Sequence, residues 1–82
     1  HAHKKLKQIL ICISGKFEIY LESKKSKIKK LFKKNEIVFI DRLTWRSLKC
    51  LEKHSTILVL ASAKYDKKDY IRNYQKFINL IK

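Results

Sequence analysis

Apolar residues come in short runs, none beyond strand length, and their period changes only towards the C-terminal end of the chain. Leu6 to Ser14 is rich in β-branched residues and stops at Ser14-Gly15, the single glycine. Beyond it Phe17, Ile19 and Leu21 alternate with Glu18, Tyr20 and Glu22, the period of a strand with one buried face. Two such runs flanking a glycine predict a hairpin. After the polar turn Ser23 to Ser26, Lys27 to Lys33 predicts a weaker strand, Glu36 to Ile40 a short one and Thr44 to Leu51 another. Thr56 to Ser62 is continuously apolar, which suits a central strand covered on both faces. Many short strands at this spacing predict a sandwich or barrel and argue against a parallel α/β sheet.

From Asp66 onward the period lengthens. Ile71, Tyr74, Phe77, Ile78 and Ile81 recur at three and four, which places one apolar stripe on a helix over about 66–81. Asp66 is the expected N-cap and Asp69 the first-turn carboxylate that complements the helix dipole. The helix is expected to pack on the sheet. With no proline and no internal repeat, residues 1–82 read as one domain, with strands over about 6–62.

Size and charge narrow the reading. A chain of 82 residues buries only about 60% of the surface its unfolded form exposes, so a partner subunit or a further segment is expected to complete the core. The opening histidine pair, in place of a methionine, points to a missing upstream part. No apolar run approaches the roughly 20 residues of a membrane span. Cys12 and Cys50 sit in apolar stretches without Cys-x-x-Cys spacing and read as buried free thiols of a reducing cytosol. The formal net charge of +14 invites a nucleic-acid reading, but only three of the 21 basic residues are arginines, Arg42, Arg46 and Arg72. Base and phosphate recognition leans on arginine forks, and lysines spread over every element make a solvated surface instead.

The candidate chemistry lies in His1-x-His3-x4-Gln8-x6-Gly15, which has the skeleton of the first motif of the cupins. The second motif survives in spacing alone, as Asn35-x5-Asp41-x-Leu43-x2-Arg46-x3-Cys50. In metal-binding cupins the ligands are histidines and a carboxylate of the first motif and a histidine of the second. Here Gln8 and Arg46 stand at the last two places. A guanidinium offers only N–H donors and a fixed positive charge, so no metal is expected. The same cation disfavours protonation of a nearby imidazole and keeps it available as a base.

Together with "TWRSL", "LVLAS" and "YDKKDYIRNY", the opening "HAHKKLKQILICISG" resembles the WxcM-like cupin sugar-nucleotide 3,4-ketoisomerases, the dTDP-4-oxo-6-deoxy-D-glucose 3,4-oxoisomerases of surface-polysaccharide biosynthesis. The resemblance covers residues 1 to about 80. It implies an all-β cupin jelly roll (double-stranded β-helix), incomplete at the N-terminus, with a C-terminal α-helix. It also implies a cytoplasmic homodimer, and metal-independent enediol chemistry without a cofactor, acting on a dTDP-4-keto-6-deoxyhexose. By family position His3 is the acid/base, and His1 orients substrate or relays a proton. Arg46 falls where relatives carry histidine or arginine, a choice associated with gluco or galacto product. Gln8 and Trp45 are the further substrate-binding candidates. Arg72 is expected to pair with Asp69 or the sheet. Two departures stand out: the segment that precedes "HAH" in relatives is absent, and "FIDRLTW" replaces a proline-containing stretch, so the loop before Trp45 is expected to be set differently. The rival functions are a cupin remnant that binds a nucleotide sugar without turning it over, and a small basic nucleic-acid-binding β protein.

Overall fold

The structure, a computed structural model, describes residues 1–82. Its strands are β1 (Ala2–His3), β2 (Gln8–Ser14), β3 (Lys16–Glu22), β4 (Lys27–Lys33), β5 (Ile37–Ile40), β6 (Trp45–Cys50), β7 (Thr56–Ala61) and β8 (Tyr70–Ile71), followed by the helix α1 (Tyr74–Ile81). Two antiparallel sheets, ordered β5-β2-β7 and β4-β3-β6, face each other, while β1 and β8 form a small ribbon. Leu10, Cys12, Val38 and Ile40 from the first sheet meet Phe17, Ile19 and Phe32 from the second in the main core. The expected all-β jelly roll with a C-terminal helix is therefore the architecture observed.

The predicted hairpin between the first two long strands does not form. β2 pairs with β5 and β7, whereas β3 pairs with β4 and β6, so Ser14-Gly15 carries the chain from one sheet to the other. A two-residue hairpin needs two turn residues between its strands, and here only Gly15 separates them. Gly15 takes φ +80°, and a Cβ there would lie 2.7 Å from Ser55 Cα. Only glycine tolerates both demands. The crossover is pinned by Ser14 Oγ donating to the His54 carbonyl at 2.8 Å and by Lys16 N–H donating to Ser55 Oγ at 3.2 Å. The true hairpin is β3–β4, closed by Ser23 N–H to Ser26 C=O at 2.8 Å. β4 is an edge strand whose exposed lysines discourage pairing with another chain.

Thr56 to Ser62 was expected at the centre of a sheet, but β7 lies at an edge beside β2. The register puts Leu58 and Leu60 on the same outer face as Ile9, Ile11, Ile37 and Phe39. The run is apolar on both sides because that outer face is apolar, not because a layer covers it. Cys12 is buried as expected; Cys50 is exposed, at the end of β6.

The helix is shorter than its apolar spacing predicts. Asp66 caps only one 3-10 turn, Lys67–Asp69, by accepting from Lys68 N–H at 2.9 Å. The chain then extends into β8, whose Ile71 and Tyr70 are the register partners of Ala2 and His3. The N-cap of α1 is Asn73, whose side chain accepts from Lys76 N–H at 3.0 Å. Phe77 anchors a second core with Ala2 and Ile71, flanked by Leu43, Trp45, Ile78 and Ile81. Buried Glu22 fastens this end to β3: its Oε1 accepts from Tyr20 at 2.6 Å and from Tyr74 at 2.7 Å. Those two hydroxyls hold the Glu22 carboxyl below its ordinary range.

Candidate active site

β1 is the pivot of the site. His3 pairs with Tyr70 of β8, and its carbonyl accepts from Leu43 N–H at 2.7 Å. The His1 carbonyl accepts from Arg46 N–H at 2.8 Å, which joins the opening residues to β6. Leu43 adopts φ 54°, a conformation unfavourable for a branched side chain, in the loop before Trp45. That turn leads into Trp45, which packs on α1, and Arg46, which the backbone ties to His1.

A cleft of about 450 Å³ opens between the two sheets, lined by His1, Gln8, Leu10, Arg46, Ser47, Leu48, Val59 and Tyr70. A hollow of about 520 Å³ between β8 and α1, edged by Lys4, Arg72 and Lys76, contains neither histidine. Within the first cleft, Arg46 is 4% exposed. Its Nη1 donates to Gln8 Oε1 and its Nη2 to the Thr44 carbonyl at 2.9 Å, while Nε has no partner. Burial pulls the Arg46 guanidinium down to about 10, against a pull upward from Tyr70. It stays charged at neutral pH.

His3 lies one layer behind the cleft wall, 1% exposed. Its ring meets His1 edge-on at 5.0 Å between centroids and Tyr70 at 4.3 Å. Nδ1 stands 3.3 Å from Asp69 Oδ2, off the line of a good hydrogen bond, and Nε2 has no partner. Burial lowers the His3 pKa most, the Arg46 charge lowers it further, and Asp69 opposes both. The imidazole is neutral at pH 7, in the direction the guanidinium argument required, although burial outweighs the guanidinium.

The structure thus brings His1, His3, Gln8 and Arg46 together. Trp45 belongs to the helix side: its ring packs on Tyr74 at 5.2 Å and Phe77 at 5.7 Å and does not line the cleft. Of the two partners expected for Arg72, Asp69 or the sheet, it takes the second: its guanidinium covers the ring of Tyr70 in β8 at 4.4 Å. No three side chains among His, Cys, Asp and Glu converge as a metal-binding group. Two site residues escaped the sequence reading. Tyr70 lies in the cleft wall, and Asp69, assigned to a helix turn, faces His3 because β8 pairs with β1.

Comparison with known proteins bears on the family and the fold. The family model described as FdtA: WxcM-like, C-terminal matches residues 1–82. The TDP-4-oxo-6-deoxy-alpha-D-glucose-3,4-oxoisomerase of Aneurinibacillus thermoaerophilus is 33% identical over 79 residues, which is 94% of this chain and 56% of the relative. The WlaRB TDP-quinovose 3,4-ketoisomerase of Campylobacter jejuni superposes with a TM-score of 0.87 at 40% identity, over 96% of this chain and 62% of that one. A histidine-to-asparagine variant of the 3,4-ketoisomerase QdtA from Thermoanaerobacterium thermosaccharolyticum, in complex with TDP-4-keto-6-deoxyglucose, gives 0.89 at 36%, over 98% and 59%. The chain therefore spans between half and two thirds of the length of these relatives.

Proposed function

From its membership of the WxcM-like, C-terminal family, to which the chain belongs over residues 1–82, we propose that the protein is a sugar-nucleotide 3,4-ketoisomerase acting on dTDP-4-keto-6-deoxy-D-glucose. The observation that carries the reading is a buried, neutral His3 that touches the rings of His1 and Tyr70, two residues that line an open cleft between the sheets together with the charged Arg46. The relatives' named activities and the bound TDP-4-keto-6-deoxyglucose of one of them support the substrate class.

The reaction asks for one base and one stabiliser of negative charge. The His3 imidazole removes the proton at sugar carbon 3, and the electrons of that C–H bond form a double bond to carbon 4 as the carbonyl oxygen takes up negative charge. Arg46, with N–H groups and a fixed charge at the cleft, stabilises that oxygen. A proton then returns to carbon 4, the hydroxyl proton at oxygen 3 is released as oxygen 4 gains one, and the ketone stands at carbon 3. Substrate and product have the same composition, so no oxidant or cofactor enters. His1, exposed between His3 and the cleft, orients the sugar or relays the proton. Gln8 lines the cleft and holds the guanidinium in place, whereas Trp45, packed on Tyr74 and Phe77, serves the second core.

Residues 1–82 serve as one cupin domain. The uncovered outer face of β5-β2-β7 suits a second copy of the protein, which supports a homodimer. No helix is long and apolar enough to cross a membrane, and an exposed free Cys50 suits a reducing cytoplasm. The test is to incubate the full-length protein with dTDP-4-keto-6-deoxyglucose in deuterated water. Isomerisation with deuterium at carbon 4 is the expected result. Tight dTDP binding without label uptake would mark a non-catalytic nucleotide-sugar-binding protein instead.

A further inference from the structure

Asp69 reaches His3 from the other end of the chain, and its carboxylate is held by the backbone immediately after that histidine. Lys5 N–H donates to Oδ1 at 2.9 Å and Leu6 N–H to Oδ2 at 3.2 Å, while Lys4 N–H donates to the Asp69 carbonyl at 3.0 Å. The segment from His3 to Leu6 therefore wraps around Asp69 and fixes Oδ2 at 3.3 Å from His3 Nδ1, with the carboxylate side chain only 13% exposed. An ionised carboxylate accepts and never donates, so the ring nitrogen facing it carries the proton and the other keeps its lone pair. Neither ring nitrogen makes a full hydrogen bond although the ring is 1% exposed; Nδ1 has the Asp69 carboxylate at 3.3 Å, and Nε2 has no protein partner. A buried polar atom left open in this way points to a role with a ligand.

We infer that Asp69 is a positioning residue for His3, holding the tautomer that presents the Nε2 lone pair for proton transfer. The inference rests on His3 being the base. The titratable or charged groups that face His3 are Arg46 from β6, the ring and amino group of His1, and Asp69 and Tyr70 from the segment that pairs with β1.

The experiment uses the full-length enzyme and its Asp69→Asn and His3→Asn variants. Asp69→Asn is expected to lower kcat about 10²-fold to 10⁴-fold, as loss of the correct tautomer does in comparable carboxylate–imidazole pairs, with dTDP affinity unchanged. The acid limb of its pH profile is expected to move to lower pH, because the charge that favours the imidazolium is gone. Unchanged kcat and an unmoved acid limb in Asp69→Asn, with His3→Asn inactive, would overturn the role of Asp69 and leave His3 as the base. Full turnover in His3→Asn would remove the base assignment itself. Nitrogen-15 spectra of the wild-type histidines need no variant to fold: a proton on His3 Nδ1 is expected, and a proton on Nε2 alone overturns the inference.

Discussion

Two charges of opposite sign bear on one imidazole. Burial and Arg46 push the His3 pKa down while Asp69 pulls it up, and a base works only in its unprotonated form. Replacing Arg46 by methionine removes a lowering influence, so the His3 pKa rises and the acid limb of kcat/KM is expected to move to higher pH. A pH profile measures this, and an unmoved limb or one shifted to lower pH would contradict the electrostatic account. The cation was legible in the sequence because Arg46 stands at a fixed motif position. The burial was not, since an opening histidine carries no local sign of the strand that will cover it. Asp69 was legible only as a helix residue, because nothing near it in sequence announces the pairing of Tyr70 with His3.

At the scale of elements, strand positions were readable from period and turn residues, whereas partners were not. A β-branched run before Gly15 and an alternating one after it fit a hairpin and a crossover equally well, and the contact of Gly15 with Ser55 decides between them. The helix start was misplaced because Ile71 fits the apolar stripe of a helix as well as it fits a buried strand position opposite Ala2. Beside the Phe77 core, α1 is tied to the sheet by Glu22, which alternation alone would have put on a solvent face. Its folded-state pKa lies below the ordinary 4.5, so its contribution is fully present above that pH and fades as pH falls through the folded value. Glu22→Gln is therefore expected to melt lower than wild type by about 5 °C at neutral pH, with the gap closing in acid. Thermal scans followed by the fluorescence of the single tryptophan, Trp45, which packs on Tyr74, read both effects. A gap that stays constant down to acid pH would contradict the assignment.

On the scale of the whole molecule, the two sheets enclose the cleft on one side and leave an apolar face on the other. Ile37 and Phe39 are 64% and 58% exposed there, a waste of apolar surface unless something covers it. Sedimentation of the full-length protein is expected to give a dimer, and Phe39→Lys a monomer with its fold intact; a dimer that survives the lysine would move the interface elsewhere. The apolar face itself was legible only as an apolar run, because an edge strand with an unoccupied face and a central strand share one pattern. The account as a whole turns on His3, and turnover of dTDP-4-keto-6-deoxyglucose by full-length His3→Asn tests it most directly. Loss of at least about a hundredfold in turnover, with dTDP affinity retained, is the predicted result; turnover close to that of the wild type would contradict it.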